Sequence, residues 1–191
     1  MAPLSREEFK QRLARDLPGA LAPTPTRAPR EGDGQAPPGE APARPRPRKG
    51  EEGPPNLLAT DDAVVYAGHI PAVARYLRDI LGYEYLSNIT AVDMLADGVI
   101  ELVYHFYHLQ GGPPLVVKTR VPREDPAVPS LTPEWPGAGL QEREAYDLFG
   151  VRFPGHPDLR RVYMWDEFEG FPMRKDFPKQ GDKYLAEDSE D

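Results

Sequence analysis

The chain has no cysteine, and that absence removes several chemistries at once. There can be no thiolate-held iron–sulfur cluster, no Cys-based zinc site, no cysteine nucleophile and no disulfide framework. Long apolar runs are also missing. None approaches the 18 residues that a membrane-spanning helix needs, and Met1 to Leu17 is charged throughout, which predicts neither a transmembrane span nor a secretory signal. Glycines occur without a G-x-G-x-x-G or phosphate-loop spacing that opens a helix, so no nucleotide fingerprint is present.

Proline, by contrast, is abundant and unevenly placed. Twelve of the 24 prolines lie in the first 56 of 191 residues, which takes that stretch out of any core. A folded part of about 125 residues remains, large enough to bury a normal core without a metal or disulfide staple. Charge divides along the same line. Residues 1–56 carry ten Lys/Arg against eight Asp/Glu, and the remainder carries 13 against 23. The globular part is therefore acidic, which disfavours nucleic-acid binding by the fold, because neutralising phosphates needs a basic surface.

Residues 1–17 read as a short amphipathic helix. Ser5 and Glu8 have capping-box spacing, and Leu4, Phe9, Leu13 and Leu17 form an apolar stripe ending before Pro18. A helix this short is marginal in water, so it is expected to dock on something at the periphery. Residues 18–56 read as a Pro/Arg-rich linker, most basic at PARPRPRKG; a solvated tether is the expectation, because Glu51 and Glu52 blunt the basic run, and a contact for anionic lipid headgroups or an acidic neighbour is the alternative.

An α/β core is expected over 57–136. Its first strand falls near 63–66 and is followed by a helix with Pro71 in its first turn and Val73, Leu77, Ile80 and Leu81 at helical spacing up to Gly82. Three further strands follow at 83–92, 99–109 and 115–121, the last two joined by the Gly-Gly-Pro-Pro turn at 111–114. The predicted class is α+β, with a small mixed or antiparallel sheet covered by helix and followed by an extended C-terminal docking segment. Five prolines between 122 and 136 predict irregular structure there.

A helix begins near Gly139 and stops at Gly150, with Arg143 and Asp147 placed to pair four residues apart. Residues 137–180 thus join one helix to a long stretch with no strand or helix pattern. So long a loop argues that it rests on another protein. An acidic tail completes the chain at 181–191.

The densest chemistry lies between 141 and 178. Glu142 and Glu144 cannot divide acid and base roles as a hydrolase pair, because side chains two apart on a helix point about 200 degrees apart. His105 and His108 are three apart on a strand and face opposite sides, so they cannot share a metal. His156 is fixed between Gly155 and Pro157. Its titration range would suit a proton relay, but a hydrogen-bonding role in a rigid loop is the expectation. Arg160, Arg161, Arg174 and Lys175 are interleaved with Asp158, Asp166 and Asp176, which suits guanidinium forks meeting a partner's carboxylates better than an anion pocket. Phe153, Tyr163, Trp165, Phe168 and Phe171 stand between the charges as interface anchors or as ordinary domain packing.

Three ordered blocks sharpen this reading: ERE-x-YDLFG at 142–150, F-x-GHPDLRR at 153–161 and G-x-P-x-RKDFP at 170–178. With LSNITAVDM at 86–94, ELVYHFYHL at 101–109 and VPSLTPEWPGAGLQERE at 128–144, they resemble the 30 kDa subunit of respiratory complex I, the type I NADH:quinone oxidoreductase. The chain departs from that pattern at Gly139 and Leu140, where Asn-Trp is common, and at Met173, where Leu is usual.

The resemblance implies a structural subunit of the peripheral arm of a proton-translocating enzyme, on the cytoplasmic side of the bacterial membrane. It implies no catalytic centre, metal or cofactor in this chain, with FMN, iron–sulfur clusters and quinone held by other subunits. The implied partners are the 49 kDa-type subunit, which helps form the quinone site, and the subunit carrying the terminal iron–sulfur cluster. The residues expected at subunit interfaces are Glu142, Arg143, Glu144, Asp147, His156, Asp158, Arg160, Arg161, Arg174, Lys175 and Asp176. The equivalent subunit of a membrane-bound hydrogenase or ferredoxin-fed complex is the nearer alternative, and a stand-alone enzyme or RNA-binding adaptor using the Arg-Pro tail the more distant one.

Overall fold

Ser5 opens the first helix, α1 (Arg6–Asp16), with a complete capping box: the Ser5 side chain accepts from the Glu8 amide, and the Glu8 carboxylate accepts from the Ser5 amide at 2.9 Å. The computed structural model describes residues 4–24 and 58–178. The linker beyond Thr24 and the acidic tail at 181–191 lie outside the described residues.

Helix α1 does not dock at the periphery, as its stripe predicts, but sits in the chain's own core. Phe9 and Leu13 are fully buried there, the Leu4 amide donates to the Tyr83 hydroxyl at 2.9 Å, and Arg6 reaches Asp62 at 3.2 Å. The expected linker also starts too early. Ala20 is buried, and residues 20–22 pair antiparallel with the first strand through Ala22 N–H to Val64 and Tyr66 N–H to Ala20.

The core follows as β1 (Ala63–Val64), α2 (Ile70–Asp79), β2 (Tyr85–Met94), β3 (Val99–Tyr107) and β4 (Leu115–Pro122). The sheet order is β1-β4-β3-β2, with β1 parallel to β4 and the other pairs antiparallel. This is the mixed α+β sheet predicted from the sequence. In β4 the period-two alternation turns Leu115, Val117, Thr119 and Val121 inward. In the central strand β3, Ile100, Leu102, Tyr104 and Phe106 line the core, while Glu101 on the opposite face pairs with Arg120 at 2.8 Å. Helix α2 buries Ile70, Val73, Ala74 and Leu77, and ends sooner than expected, which leaves Ile80 exposed.

Helix α3 (Ala138–Phe149) packs against β2, where the Gln141 side chain takes the Ile89 amide on the sheet's outer edge. The expected boundary at 136/137 is therefore not a division in the fold: α3 belongs to the same unit as the sheet. The prolines of 122–136 do not leave that stretch wholly irregular either. Arg152 donates to the Pro126 carbonyl at 2.9 Å, Val128 to Arg152 at 3.0 Å and Ser130 to Pro154 at 2.9 Å, forming a short parallel pairing. Pro129 lies between the donors Val128 and Ser130, and Pro126 takes part only as an acceptor at the start of the pairing, so their missing amides break none of these bonds.

Candidate docking surface

Helix α3 organises everything C-terminal to it, and does so with two buried carboxylates. Glu142 faces inward and accepts from Ser130 Oγ at 2.5 Å, the Leu131 amide at 2.6 Å and Thr132 Oγ1 at 2.9 Å. It fastens the proline-rich crossing to the helix. Asp147 faces the other way, toward residues 161–164. One carboxylate oxygen accepts the amides of Val162, Tyr163 and Met164 at 2.9, 2.7 and 3.0 Å, and the other meets Arg161 at 2.7 Å. Burial alone would raise the Asp147 pKa, but the three amides and the guanidinium outweigh it and hold the carboxyl below its ordinary value.

The expected Arg143–Asp147 pair does not form. Arg143 donates instead to the carbonyls of Arg160 and Arg161, both at 3.1 Å. Arg161 completes its fork on the carbonyls of Phe168 and Gly170 at 3.0 and 3.2 Å. A lone i,i+4 pair on a wet helix is worth a few tenths of a kcal/mol, whereas these groups each gain several partners across the loop.

His156 is a hydrogen-bonding residue. Its Nδ1 accepts from the Asp158 amide at 3.0 Å, which leaves Nε2–H to donate to the Gly139 carbonyl at 3.1 Å. Asp158 pairs with Arg160 at 2.8 Å on the surface. Further along, Arg174 Nε donates to the Phe149 carbonyl at 2.7 Å, with its guanidinium 4.8 Å above the Phe171 ring.

A second clasp has no counterpart among the sequence expectations. Asp93, buried at the end of β2, accepts from Arg123 Nε at 2.8 Å and from the Lys175 amide at 2.8 Å, and Arg123 also binds Asp176. Burial pushes the Asp93 carboxyl up, and these donors pull it below its ordinary value. Asp93, Arg123 and Asp176 are too far apart in sequence for any spacing to reveal the triad, though a charged residue closing an apolar strand is the one visible hint.

Glycine makes the closest approaches possible. Gly150 ends α3 at φ +78, and a Cβ there would lie 2.5 Å from the Phe171 ring; Gly170, at φ +90, would meet Phe177 at 2.7 Å. The absence of pattern over 151–180 predicts a segment lying on another protein. Its described part, as far as Pro178, is a strap whose inner side rests on α3 and on the end of the sheet.

The eleven expected interface residues therefore separate. Glu142 and Asp147 are fully buried and turned inward, and Arg143 and Arg161 are committed to backbone carbonyls and Asp147. Glu144, at 3.3 Å from the Tyr163 hydroxyl, with Asp158, Arg160, Lys175 and Asp176, remains at the surface. Beside them stand apolar side chains that a folded chain normally hides: Leu140, Val162, Tyr163, Trp165 and Met173 are all exposed. Trp165, Phe168, Pro172 and Phe177 wall an open groove of about 620 Å³ with Arg174 and Lys175. Among the described residues no cluster of three His, Cys, Asp or Glu could hold a metal ion, and no helix is long and apolar enough to cross a membrane.

Sheet, helix and strap define an α+β module that braces a long C-terminal strap internally and leaves an aromatic, charged face outward. Residues 63–183 match the family described as respiratory-chain NADH dehydrogenase, 30 Kd subunit, and the chain belongs to that family. It is 48% identical over 117 residues to the C-type subunit of NADH-quinone oxidoreductase from Moorella thermoacetica, covering 61% of this chain and 79% of the relative. Over 127 residues it is 44% identical to a C-type subunit of the NADH-quinone oxidoreductase of Rhizobium meliloti, covering 62% and 69%. Among solved structures, a chain of an archaeal respiratory membrane complex, the membrane-bound sulfane sulfur reductase, superposes with a TM-score of 0.61 at 27% identity, covering 94% of this chain and 88% of that one.

Proposed function

We propose that the chain is a structural subunit of the peripheral arm of a proton-translocating NADH:quinone oxidoreductase, and that its strap face holds the quinone-site subunit and the terminal iron–sulfur subunit in fixed relation. The observation that carries this is the set of exposed side chains Val162, Tyr163, Trp165 and Met173 on a strap whose inner side is already satisfied by the chain itself, with Leu140 exposed on α3. Exposed aromatics on a rigid frame, rimmed by charges, have the composition of an interface core. The redox groups FMN, iron–sulfur clusters and quinone belong to companion subunits, chiefly the 49 kDa-type subunit and the one with the terminal cluster, and the assembly faces the cytoplasm. This chain's part is rigidity: a partner docked on a preorganised strap loses little further freedom.

Affinity purification of the assembly through a tag on this chain tests the reading. The companions should carry NADH-dependent quinone reduction, and Arg160→Glu should lower their recovery, because the Arg160 side chain is exposed and its ion pair is with neighbouring Asp158. Arg161 is unsuitable for that test, since reversing it breaks the chain's own Asp147 clasp. Full assembly of the variant with loss of turnover alone would sink the scaffold role.

A second reading has one specific observation in its favour, the similarity to a chain of the sulfane sulfur reductase over nearly the whole length. In that reading the same module serves a membrane-bound respiratory complex with a different electron donor. Assaying the purified assembly with NADH and with reduced ferredoxin distinguishes the two.

A further inference from the structure

Most cations of the strap are neutralised within the chain. Arg152 pairs with Asp125, Arg160 with Asp158 and Arg161 with Asp147, and Arg123, which follows β4, pairs with Asp93 and with the strap's Asp176. Arg174 and Lys175 differ. Among the described residues neither side chain has a carboxylate within ion-pair distance, and both line the aromatic groove.

The site is built in advance. The Lys175 amide is held by Asp93, and Arg174 is anchored through Nε to the Phe149 carbonyl, so both cations project from a fixed backbone. The apolar wall is equally fixed: Trp165 meets Phe168 edge-on at 4.9 Å, and Phe168 stacks on Phe177 at 5.8 Å. Burial first, and then the like charge of Arg123, hold the Arg174 pKa below its ordinary value against the opposing pull of Asp93 and Asp176. The groove is therefore lined by apolar side chains, with Arg174 and Lys175, neither of them in an ion pair among the described residues, as the charged groups of its wall.

We propose that this groove seats a segment of a companion subunit in which an aliphatic or aromatic side chain is flanked by a carboxylate. The apolar side chain packs on Trp165, Phe168 and Phe177, and the carboxylate lies between Arg174 and Lys175. The inference rests on the reading of this chain as a subunit and gives that docking face the chemistry of its occupant. A volume of about 620 Å³ suits a few side chains. Asp166, Glu167 and Glu169 are exposed beside Trp165 and Phe168 in the sequence, and they would repel a polyanion such as nucleic acid or an anionic bilayer.

The test uses the intact assembly. A photo-crosslinking residue at Met173, which is exposed, should capture a companion segment with Asp or Glu within two residues of an apolar side chain. Lys175→Glu should weaken retention of that companion about tenfold, and Lys in place of the captured carboxylate should restore it. Lys175 contributes only its backbone to the Asp93 clasp, so the variant keeps the fold; Trp165→Ala, at an exposed position, should give a comparable loss. Crosslinks to lipid or to this chain's own residues 179–191, or unchanged retention of Lys175→Glu, would overturn the proposal while leaving the subunit reading intact. A wild-type chain that brings down no companion subunit would overturn both.

Discussion

The Asp147 carboxylate and the Arg161 guanidinium meet at 2.7 Å across 14 residues, one at the end of α3 and the other on the strap that returns over it. The Asp147 side chain is fully buried, and that of Arg161 is partly buried. Because the second Asp147 oxygen gathers three consecutive amides, a single carboxylate sets both the position and the direction of residues 161–164.

Replacing Asp147 with Asn keeps the shape and removes the charge. Arg161 is then left partly buried without its counter-ion, which should cost about 3 kcal/mol of stability. Hydrogen exchange at the amides of Val162, Tyr163 and Met164 should accelerate sharply, whereas exchange in β3 should change little. Unaltered protection at those three amides would show that the clasp is not what holds the strap.

Acid should release the same element. Asp93 and Asp147 both have pKa values depressed by folding. A depressed carboxyl contributes stability that is complete above the unfolded value of about 4 and is lost as pH falls through the folded value. The thermal midpoint should therefore decline below about pH 4, and Asp147→Asn should flatten that decline. A variant with the same acid slope as the wild type would remove Asp147 from the explanation.

Gly150→Ala should be costly out of proportion to one methyl. Backbone strain at φ +78 contributes about 1–3 kcal/mol. The added Cβ also falls on the rigid Phe171 ring, so the strap must lift. Combining the substitution with Phe171→Leu should recover part of the loss in a denaturation curve.

Phe9→Ala tests where α1 belongs. Phe9 is buried in the chain's own core, so its truncation should destabilise the isolated chain by about 3–5 kcal/mol. A helix that served only to dock on a neighbour would leave the isolated chain's stability unchanged.

Local chemistry is legible along the chain wherever the determinants are neighbours in sequence. Ser5 with Glu8, Pro71 in a first turn, the alternation of Leu115, Val117, Thr119 and Val121, and Gly150 at a helix end each specify an element through contacts within a few residues. The destination of α1 is not legible, since the stripe of Phe9 and Leu13 looks the same whether it meets a partner or the chain's own sheet. Nor is the strap's support. Its lack of periodicity marks it as neither strand nor helix, but Asp93 and Lys175 lie 82 residues apart, and no pattern links them.

The α+β class, the helix and strand positions, the exclusion of thiolate chemistry and, through three ordered motifs, the family are all written in the order of residues. They follow from backbone preference, side-chain periodicity and residue identity, each of which is local. Which charges of the signature face inward and which face out is a property of the folded chain alone. Glu142, Asp147 and Arg161 are consumed within the chain, whereas Arg174 and Lys175 line the groove with no carboxylate at ion-pair distance among the described residues. Identical side chains in one motif come to opposite uses because pairing depends on distance in space, and that distance is set only when the strap closes over α3.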